Sequence, residues 1–549
     1  MARQASVSGV LLAQDAVVRF APSPGSLRHR MLATVSSATV HGLDGIQIAV
    51  EIDLQRGLRS FHLVGLPSLA VRESRERVVA ALANCDFELP EKRLTVNLAP
   101  ADVPKDGAAF DLPIALGVLV ASGQCAGDRL AGTCVLGELA LDGAVRAVRG
   151  VLPVAIALRR LGMRRLVVPA PNAAEARVVP GVEVIACTHL QDAVAWLETG
   201  TVPVRRQRAA CAEEPIETST GGGALRRASA AERAPDFSQV FGQEIAKRAL
   251  AIAATGGHHV LLVGPPGVGK SMLARCMPGL LPPLAPEEAL EVRQVASVCG
   301  RHAEAAAPVV ARPFRAPHHT VSAAGLVGGG RPVTPGEMTL AHRGVLFLDE
   351  VPEFPRYLLD LMRQPLEEGW IPIARANQNV RYPARFQLIA AMNPCPCGWL
   401  GHPKRGCTCA PGDVERYRAR VSGPVMDRID LRVDVAIPPV EQVGTVGDAR
   451  EVEELRARIR AARELQCERY AHIDGVHCNA DAGSEARREF MQPQAQAAEL
   501  LRRAMSQWDL SVRAYERTIA VARSIADLED AGGINVQHVA EALQYRLRA

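Results

Sequence analysis

The order of apolar and polar positions divides the chain into regions of different periodicity. Residues 47–54 alternate in the two-residue period of a half-buried strand, whereas residues 68–84 carry apolar side chains at helical spacing. An apolar strand at 94–98 and an apolar helix at 112–121 follow. Because strands and helices keep alternating to residue 198, we predict one α/β domain over residues 31–198.

Continuous apolar runs predict a second sheet, of parallel strands, over residues 236–440. These runs have the length of buried strands and are bounded by glycine or polar residues. They occupy residues 258–263, 345–348 and 388–392. An amphipathic helix is predicted at 240–251, before the first of them. The second region is therefore also predicted to be α/β.

The remaining segments differ sharply from one another. Residues 441–549 have helical periodicity and are expected to form a C-terminal helical lid. Residues 1–30 and 199–235 lack hydrophobic periodicity, so we expect a flexible extension and a flexible linker. Arginine pairs in the linker could contact phosphate backbones, although a solvated linker is the commoner explanation of such charges.

Composition narrows the class of protein without deciding its function. The chain has 549 residues, 48% of them hydrophobic and 22% charged, with a net charge of +4. Aromatic residues make up only 4%, which argues against an extensive base-stacking surface. No apolar run reaches the roughly 18 residues of a membrane span, and the N-terminal residues lack a signal-peptide core. We expect a cytoplasmic protein without a membrane partner.

The sequence GPPGVGKS, which directly follows the first apolar run, fits the phosphate-binding loop G-x-x-x-x-G-K-[ST]. Its glycines allow backbone N–H groups to converge on phosphate oxygens, the lysine can reach the β- and γ-phosphates, and the serine can bind Mg²⁺. A helix predicted after the loop adds its own attraction for anions. ATP with Mg²⁺ is the expected cofactor. The predicted binding residues are Gly264, Pro265, Pro266, Gly267, Val268, Gly269, Lys270 and Ser271.

Polar residues follow the other two apolar runs. Asp349 and Glu350 end the second run, which is the pattern of a Walker B strand. We predict that Asp349 lies beside the Mg²⁺ and that Glu350 is the general base for the attacking water. Asn393 ends the third run, where its amide can bond the γ-phosphate or that water. These features resemble the AAA+ ATPases, in which this asparagine is sensor 1.

Two arginines further along the chain are candidates for contact with the nucleotide, Arg428 from a neighbouring subunit and Arg513 delivered by the helical lid as it closes. Arg428 lies in the string SGPVMDRID, after a short helix expected at a subunit border, where it would stabilise charge on the ATP of a neighbouring subunit. Arg513 begins a later helix and resembles the sensor 2 arginine. Both could instead be ordinary ion-pair partners. The resemblance implies a closed head-to-tail ring, usually of six subunits.

Two insertions resemble those of the magnesium-chelatase and replicative-helicase branch of this superfamily, where both loops point into the ring channel. Residues 315–337 carry His318 and His319 and are so rich in glycine that we expect a channel-facing loop outside the core. Residues 369–385 have the pattern of a hairpin with Arg375, Asn377 and Arg381 near its tip. Cationic and amide groups there would contact a DNA backbone. For the histidine pair, loop structure or phosphate contact is favoured over metal binding.

A cluster of cysteines follows Asn393 directly. Cys395, Cys397, Cys407 and Cys409 form two C-x-C pairs around a short Gly/Pro loop, and His402 lies between them. Four thiolates this close in the sequence could hold a structural Zn²⁺, with His402 as a substitute ligand. A reduced thiol cluster and a redox switch are the alternatives, because C-x-C is tighter than the usual C-x-x-C spacing.

The first domain resembles the Lon-type proteolytic domain, through Pro104-Lys105-Asp106-Gly107 and the stretch from Gly137 to Val145. In that family a serine and a lysine follow at defined positions, which are Ala109 and Leu152 here. A Ser–Lys protease needs a hydroxyl nucleophile in contact with a base. We therefore predict a non-proteolytic domain that serves as scaffold, ring contact or nucleic-acid surface.

From residue 31 to 549 the chain resembles the ComM/YifB family of magnesium-chelatase-like AAA+ proteins. The Asn-Pro-Cys-Pro-Cys-Gly and SGPxxDRID strings and the order of the domains carry this resemblance. It implies a hexameric, ATP-driven helicase that promotes branch migration of single-stranded or branched DNA when incoming DNA is recombined during natural transformation. The alternatives are a magnesium-chelatase-like motor subunit, or a chaperone or protease acting on a protein partner.

Overall fold

The protein is described here from a computed structural model covering residues 32–203, 235–330, 333–375, 378–421, 423–438 and 447–547. The predicted extension at 1–30 and all but the ends of the predicted linker at 199–235 lie outside these residues. Two large sheets and a C-terminal group of helices make up the fold. Among the described helices, none combines the length and the apolar character needed to cross a bilayer.

The first sheet has seven strands in the order β3-β4-β2-β1-β5-β8-β9. β1 pairs antiparallel with β2, and β2 with β4, whereas the β1–β5, β5–β8, β8–β9 and β3–β4 pairs are parallel. The strands are β1 (Leu32–His41), β2 (Asp44–Gln55), β3 (Ser60–Val64), β4 (Arg93–Ala99), β5 (Thr133–Val135), β8 (Arg165–Pro169) and β9 (Glu183–Cys187), with a small hairpin of β6 (Glu138–Leu139) and β7 (Val145–Arg146).

Helices cover both faces of this sheet because its strands are apolar on both sides. Val35 on β1 faces a core shared with α2, α3 and α6, while Ala38 on the same strand faces a core shared with α4 and α5. The helices are α1 (Leu69–Arg72), α2 (Ser74–Asn84), α3 (Asp111–Ala121), α4 (Val151–Arg160), α5 (Ala173–Ala176) and α6 (Leu190–Thr199). The predicted α/β domain is confirmed by these elements.

The second sheet has five parallel strands in the order β11-β14-β17-β10-β18. Its strands are β10 (Val260–Val263), β11 (Phe314–Arg315), β14 (Val345–Leu348), β17 (Gln387–Met392) and β18 (Leu431–Asp434). Two small hairpins stand apart from it, β12 (Gly328–Gly329) with β13 (Thr334–Pro335), and β15 (Trp370–Arg375) with β16 (Gln378–Pro383). The helices around it are α7 (Glu244–Gly256), α8 (Lys270–Leu280), α9 (Pro286–Val298), α10 (His302–Ala305), α11 (Ala323–Val327), α12 (Glu337–Leu340), α13 (Arg356–Leu361), α14 (Arg363–Glu368), α15 (Pro411–Ala419) and α16 (Gly423–Met426).

Two local predictions in this region are wrong. The helix predicted at 240–251 begins only at Glu244, because Gln243 has a left-handed backbone (φ 61°) that α-helical residues do not adopt. The glycine-rich insertion at 315–337 was expected to lie outside the core. It contains α11 and the β12–β13 pair, and Leu326 is fully buried.

The C-terminal helices pack on the same face of the second sheet as α7. They are α17 (Ala449–Arg469), α18 (Ser484–Phe490), α19 (Ala495–Trp508), α20 (Val512–Leu528) and α21 (Val536–Leu547). Polar contacts join this lid to the loop before β18. Arg517 of α20 donates to the carbonyl oxygen of Arg428 (2.7 Å) and to the buried carboxylate of Asp430, and Arg546 of α21 donates to the carbonyl oxygen of Ile429 (2.7 Å).

The buried carboxylate of Asp430 is held ionised at this junction. Burial alone would raise its pKa, but Arg517 and the adjacent His258 and His259 outweigh that effect and keep the pKa well below its ordinary range. The ion pair between Arg517 and Asp430, which connects the lid to the ATPase sheet, is therefore expected to break only at strongly acidic pH.

Candidate nucleotide-binding site

Three neighbouring strands deliver the predicted nucleotide residues to one edge of the second sheet. β17 lies between β14 and β10, and all three run parallel. The phosphate loop (residues 264–271) follows β10, Asp349 and Glu350 follow β14, and Asn393 follows β17. Because the carboxyl ends of parallel strands share an edge, these groups meet in one crevice, where open α/β sheets bind ligands.

The backbone of the phosphate loop has the shape that its sequence predicts. Gly267 and Gly269 have φ angles of 80° and 90°, which side-chain-bearing residues rarely adopt. Helix α8 begins at Lys270, immediately after Gly269. The N–H groups of its first turn have no partner within the helix and adjoin the loop. This arrangement fits a phosphate group.

Lys270 joins the phosphate loop to Asn393, the predicted sensor 1 residue. Its ammonium group donates to the carbonyl oxygens of Gly264 (2.7 Å) and Pro265 (2.9 Å) and to Oδ1 of Asn393 (3.1 Å). Burial lowers the pKa of this lysine, while Asp349 and Glu350 act in the opposite direction. The predicted contact partners of a γ-phosphate, Lys270 and Asn393, therefore lie together.

The residues predicted to serve Mg²⁺ and the attacking water also lie together. Ser271 Oγ donates to Asp349 Oδ2 at 2.7 Å, so both oxygens can approach one hydrated Mg²⁺. Glu350 has a left-handed backbone (φ 52°), and its N–H donates to Asp349 Oδ1 (3.0 Å). Its side chain is exposed, which leaves the carboxylate open to water. The residues fit the ATP and Mg²⁺ that the sequence predicts.

Arg428 and Arg513 lie in a separate cluster centred on Glu367, a residue of α14 that the sequence did not single out. The buried guanidinium of Arg428 forms an ion pair with Glu367, and Arg513, which is 65% exposed, lies 3.7 Å from the same carboxylate oxygen. Burial lowers the pKa of Arg428, and Glu367 opposes that shift. Only the folded chain reveals this cluster, because its members are far apart in the sequence.

The two insertions pack against each other. A Cβ atom on Gly328 would lie 2.9 Å from Ile373 of β15, and the Tyr382 hydroxyl donates to the carbonyl oxygen of Val333 (3.2 Å). Arg381 is exposed on β16. Asn377 lies outside the described residues, and so does the side chain of Arg375. The predicted channel loops therefore form one structural unit.

The histidine pair lies in the glycine-rich insertion, beside the Walker B segment. The rings of His318 and His319 are 4.0 Å apart, and His318 Nδ1 is 2.9 Å from the Thr320 hydroxyl. His319 contacts Phe354, which follows Glu350 by four residues. Among the described residues, the candidate metal-binding group contains neither histidine. The preference for a loop or phosphate role over metal binding is unchanged.

The four clustered cysteines converge in space as well as in sequence. The Sγ atoms of Cys395, Cys397, Cys407 and Cys409 all lie within 4.8 Å of one another. Two sulfurs also accept backbone hydrogen bonds, Cys395 from Leu400 N (3.3 Å) and Cys409 from Cys397 N (3.4 Å). His402 instead accepts from the backbone N–H groups of residues 404 and 405. This donor set, without His402, is of the kind that binds Zn²⁺.

The first domain has no dyad at the positions where the Lon-type family has one. Ala109 and Leu152 offer neither a hydroxyl nor an amine, and Leu152 is fully buried. The ATPase region covers this place, since Ser297 of α9 accepts from Gly150 N through its carbonyl oxygen (3.0 Å) and from Leu152 N through Oγ (3.2 Å). A cavity of about 390 Å³ remains nearby, lined by residues of both regions that include Asp106 and Tyr382.

Two further contacts join the first domain to the ATPase region. His302 of α10 lies 3.0 Å from both the buried carboxylate of Glu175 and the amide of Asn172. His41 Nε2 lies 3.0 Å from the carbonyl oxygen of Asn379 on β16. The first domain thus contacts both the ATPase helices and the hairpin with the exposed Arg381.

Comparison with known families agrees with this site. The description "Magnesium chelatase, subunit ChlI" matches residues 236–443, "Subunit ChlI of Mg-chelatase" matches residues 50–172, and "Magnesium chelatase, subunit ChlI C-terminal" matches residues 449–546. Fold and site together define a magnesium-chelatase-like AAA+ ATPase with an N-terminal Lon-like domain.

Full-length relatives narrow this class. The chain is 41% identical over 517 residues to the competence protein ComM of Haemophilus influenzae, covering 94% of this chain and 97% of that one. It is 40% identical over 518 residues to the protein YifB of Escherichia coli, with the same coverage. The 38 kDa magnesium-chelatase subunit of Cereibacter sphaeroides is 31% identical over 176 residues, which are 29% of this chain and 52% of that subunit. The chain belongs to the ComM/YifB family.

Proposed function

We propose that this protein is an ATP-driven DNA motor that separates or migrates strands of single-stranded or branched DNA during recombination of incoming DNA. The observation that carries the proposal is the packing of the two insertions into one unit with Arg381 exposed, in a chain that also has a complete nucleotide site. The likeness to a protein named for competence supports the biological setting.

The insertions are positioned to respond to nucleotide. His319 contacts Phe354, shortly after Glu350, so the glycine-rich insertion adjoins the segment that carries the proposed general base. The hairpin contacts that insertion through Ile373 and Tyr382. A displacement of the Walker B segment on hydrolysis would therefore reach Arg381 through packed groups, and a guanidinium there would bind backbone phosphates.

We further propose a homo-hexameric ring in which Arg428 and Arg513 act on the ATP of the adjacent subunit. Both arginines surround Glu367 and so belong to one surface of the chain. In the isolated chain this one glutamate lies beside both guanidinium groups, and its single negative charge cannot balance both. In the ring, the phosphates of a neighbouring nucleotide would compete for the same guanidinium groups, which stabilise charge in phosphoryl transfer.

A structural Zn²⁺ is the second part of the proposal. Four convergent thiols with two N–H···S bonds fit one tetrahedral Zn²⁺, and clustered thiols in a reducing compartment favour metal over disulfides. We expect about one zinc per chain by elemental analysis of the purified protein. A sub-stoichiometric zinc content would contradict this site and leave the motor unaffected.

The test of the motor compares Arg381→Ala with Arg503→Ala. Both arginines are exposed, but Arg503 lies on lid helix α19, where it pairs with Glu499. We expect forked or single-stranded DNA to stimulate ATP hydrolysis by the wild type, and Arg381→Ala to lose most of that stimulation with a smaller salt dependence of DNA binding. Arg503→Ala should behave like the wild type.

An ATPase rate that DNA leaves unchanged, with no strand displacement, would contradict the proposal. It would favour the alternative, a magnesium-chelatase-like motor subunit or a chaperone that remodels a protein partner. The partial likeness to magnesium-chelatase subunits supports that alternative, but it covers only 29% of the chain.

A further inference from the structure

The segment that carries the clustered cysteines also contacts the phosphate loop. We name residues 394–409 the cysteine loop. The chain immediately before it bonds both ends of the phosphate loop, because Gly264 N donates to the carbonyl oxygen of Met392 (3.2 Å) and Lys270 donates to the side chain of Asn393 (3.1 Å). The cysteine loop therefore begins from residues that already hold the nucleotide site.

A second contact comes from within the cysteine loop. Gly398 is buried, and a Cβ atom placed on it would lie 2.8 Å from Cδ of Pro266, the third residue of the phosphate loop. Its φ angle of 83° also favours glycine. The backbone at residue 398 thus packs directly on the proline ring that forms one wall of the phosphate loop.

The outer part of the cysteine loop has little apolar packing to fix its shape. No residue from 401 to 410 is buried, whereas Cys395 is fully buried beside the ATPase core. The sulfurs of Cys397 and Cys407 lie 3.6 Å apart, and those of Cys395 and Cys407 are equally close. The other contacts of this part are local, such as those of His402 with the N–H groups of residues 404 and 405 and of Arg405 with the Trp399 ring. Metal–thiolate bonds would add cross-links between the two cysteine pairs, as they do in small metal-stabilised domains.

We propose that Zn²⁺ held by the four thiolates positions the phosphate loop, so that nucleotide affinity depends on zinc occupancy. The inference rests on the zinc site proposed above. Zinc holds Cys395 and Cys397 at fixed positions, the backbone at Gly398 then keeps its place against Pro266, and the phosphate loop keeps its nucleotide-binding shape. Zinc here is a structural ion, and Gly398 is a positioning residue that does not touch the nucleotide.

Two variants separate the effect of the bound metal from the effect of the contact between Gly398 and Pro266. Cys407→Ser/Cys409→Ser removes the second pair of ligands and keeps Cys395 and Cys397, which flank the contact with the phosphate loop. Gly398→Ala retains all four thiols and adds a methyl group against Pro266. Cys467→Ser is the matched control, since Cys467 is exposed on α17 and outside the cluster. For each protein, zinc is measured by elemental analysis and the Kd of a fluorescent ATP analogue by titration without DNA. Circular dichroism checks the fold.

We expect the double serine variant to lose zinc and to bind the analogue about tenfold more weakly, a change of about 1.4 kcal/mol. Gly398→Ala should keep zinc and still weaken binding, by about fivefold. Cys467→Ser should match the wild type in both measurements. If the double variant does not fold, the wild-type protein is titrated before and after a chelator removes its zinc, and zinc removal should weaken binding by the same factor.

A zinc-free double variant that folds and binds nucleotide with the wild-type Kd would overturn this inference. So would wild-type affinity in Gly398→Ala. Neither result would contradict the zinc site or the DNA motor, because elemental analysis tests the first and DNA-stimulated ATP hydrolysis tests the second. Absence of zinc from the wild-type protein would overturn the zinc site and this inference together.

Discussion

The two α/β domains of this chain differ in what lies at their sites. At the edge of the ATPase sheet, polar groups from three strands bond one another and remain open to a ligand, as in the Lys270–Asn393 and Ser271–Asp349 pairs. In the Lon-like domain, Ala109 and Leu152 occupy the positions where the Lon-type family has its serine and lysine. The backbone N–H of Leu152 donates to Ser297 of the ATPase region.

This difference shows that the first domain folds around apolar cores without a dyad at this place. Its seven-stranded sheet lies between two apolar cores, so its stability does not depend on a dyad. At the position of the lysine, the backbone of Leu152 bonds Ser297 of the ATPase region. A domain of a protease-like fold thus serves here as a neighbour of the ATPase helices and of the β15–β16 hairpin.

The largest expected effect lies on the ATPase side of the comparison. Glu350→Gln should lower the rate of ATP hydrolysis by about 10²-fold or more and leave nucleotide binding in place, because water activation is lost while Lys270 and Ser271 remain. Turnover and analogue binding are measured separately. Glu353→Gln, an exposed acid three residues later, is the control. Lys270→Ala should instead lose binding, and normal hydrolysis by Glu350→Gln would remove this residue from its role.

A smaller effect is expected where the Lon-like domain lacks its base. Leu152→Lys would place an ammonium group in a fully buried site against α9, so the free energy of unfolding should fall by about 3 kcal/mol or more. Leu152→Met should cost less than about 1.5 kcal/mol. Denaturant titration measures both. Peptide hydrolysis by Ala109→Ser/Leu152→Lys would show that the site is only two side chains away from a protease.

The smallest effect concerns the junction between the two domains. His302→Ala would leave the buried carboxylate of Glu175 without its imidazole partner, and we expect a local cost of about 1–2 kcal/mol. Faster hydrogen exchange of the Gly150 and Leu152 amides would report a loosened junction, since both amides donate to Ser297. Arg301→Ala, at the adjacent residue, is the control. Unchanged exchange in His302→Ala would mean that the domains are held together elsewhere.

Short-range signals made the nucleotide site predictable. The spacing of the phosphate loop and the polar residues after apolar strands identified Lys270, Asp349, Glu350 and Asn393, because strand ends in a parallel sheet share an edge. Periodicity also predicted the helical lid, although not its short helix α18 (Ser484–Phe490). Element starts that depend on one backbone angle were not, as Gln243 illustrates.

Contacts between residues that are distant in the chain could not be predicted from the sequence. Glu367 looks like any helical glutamate until folding brings it to Arg428 and Arg513. Gly398 resembles an ordinary turn glycine, and only its packing on Pro266 distinguishes it. Ser297 likewise has no sequence signal for its bonds to residues 150 and 152. Each of these depends on tertiary geometry that local patterns do not encode.

The hydrogen bonds between the lid and the loop before β18 have a consequence for mutant alleles. Arg517 and Arg546 bond main-chain oxygens, at residues 428 and 429, so that no side-chain exchange at either of those positions abolishes the link. Changes at Arg517 and Arg546 themselves do so, and a change at Asp430 removes the carboxylate that Arg517 also contacts. A missense change at Arg546 is therefore expected to loosen the loop at Ile429, although 117 positions separate these two residues in the sequence.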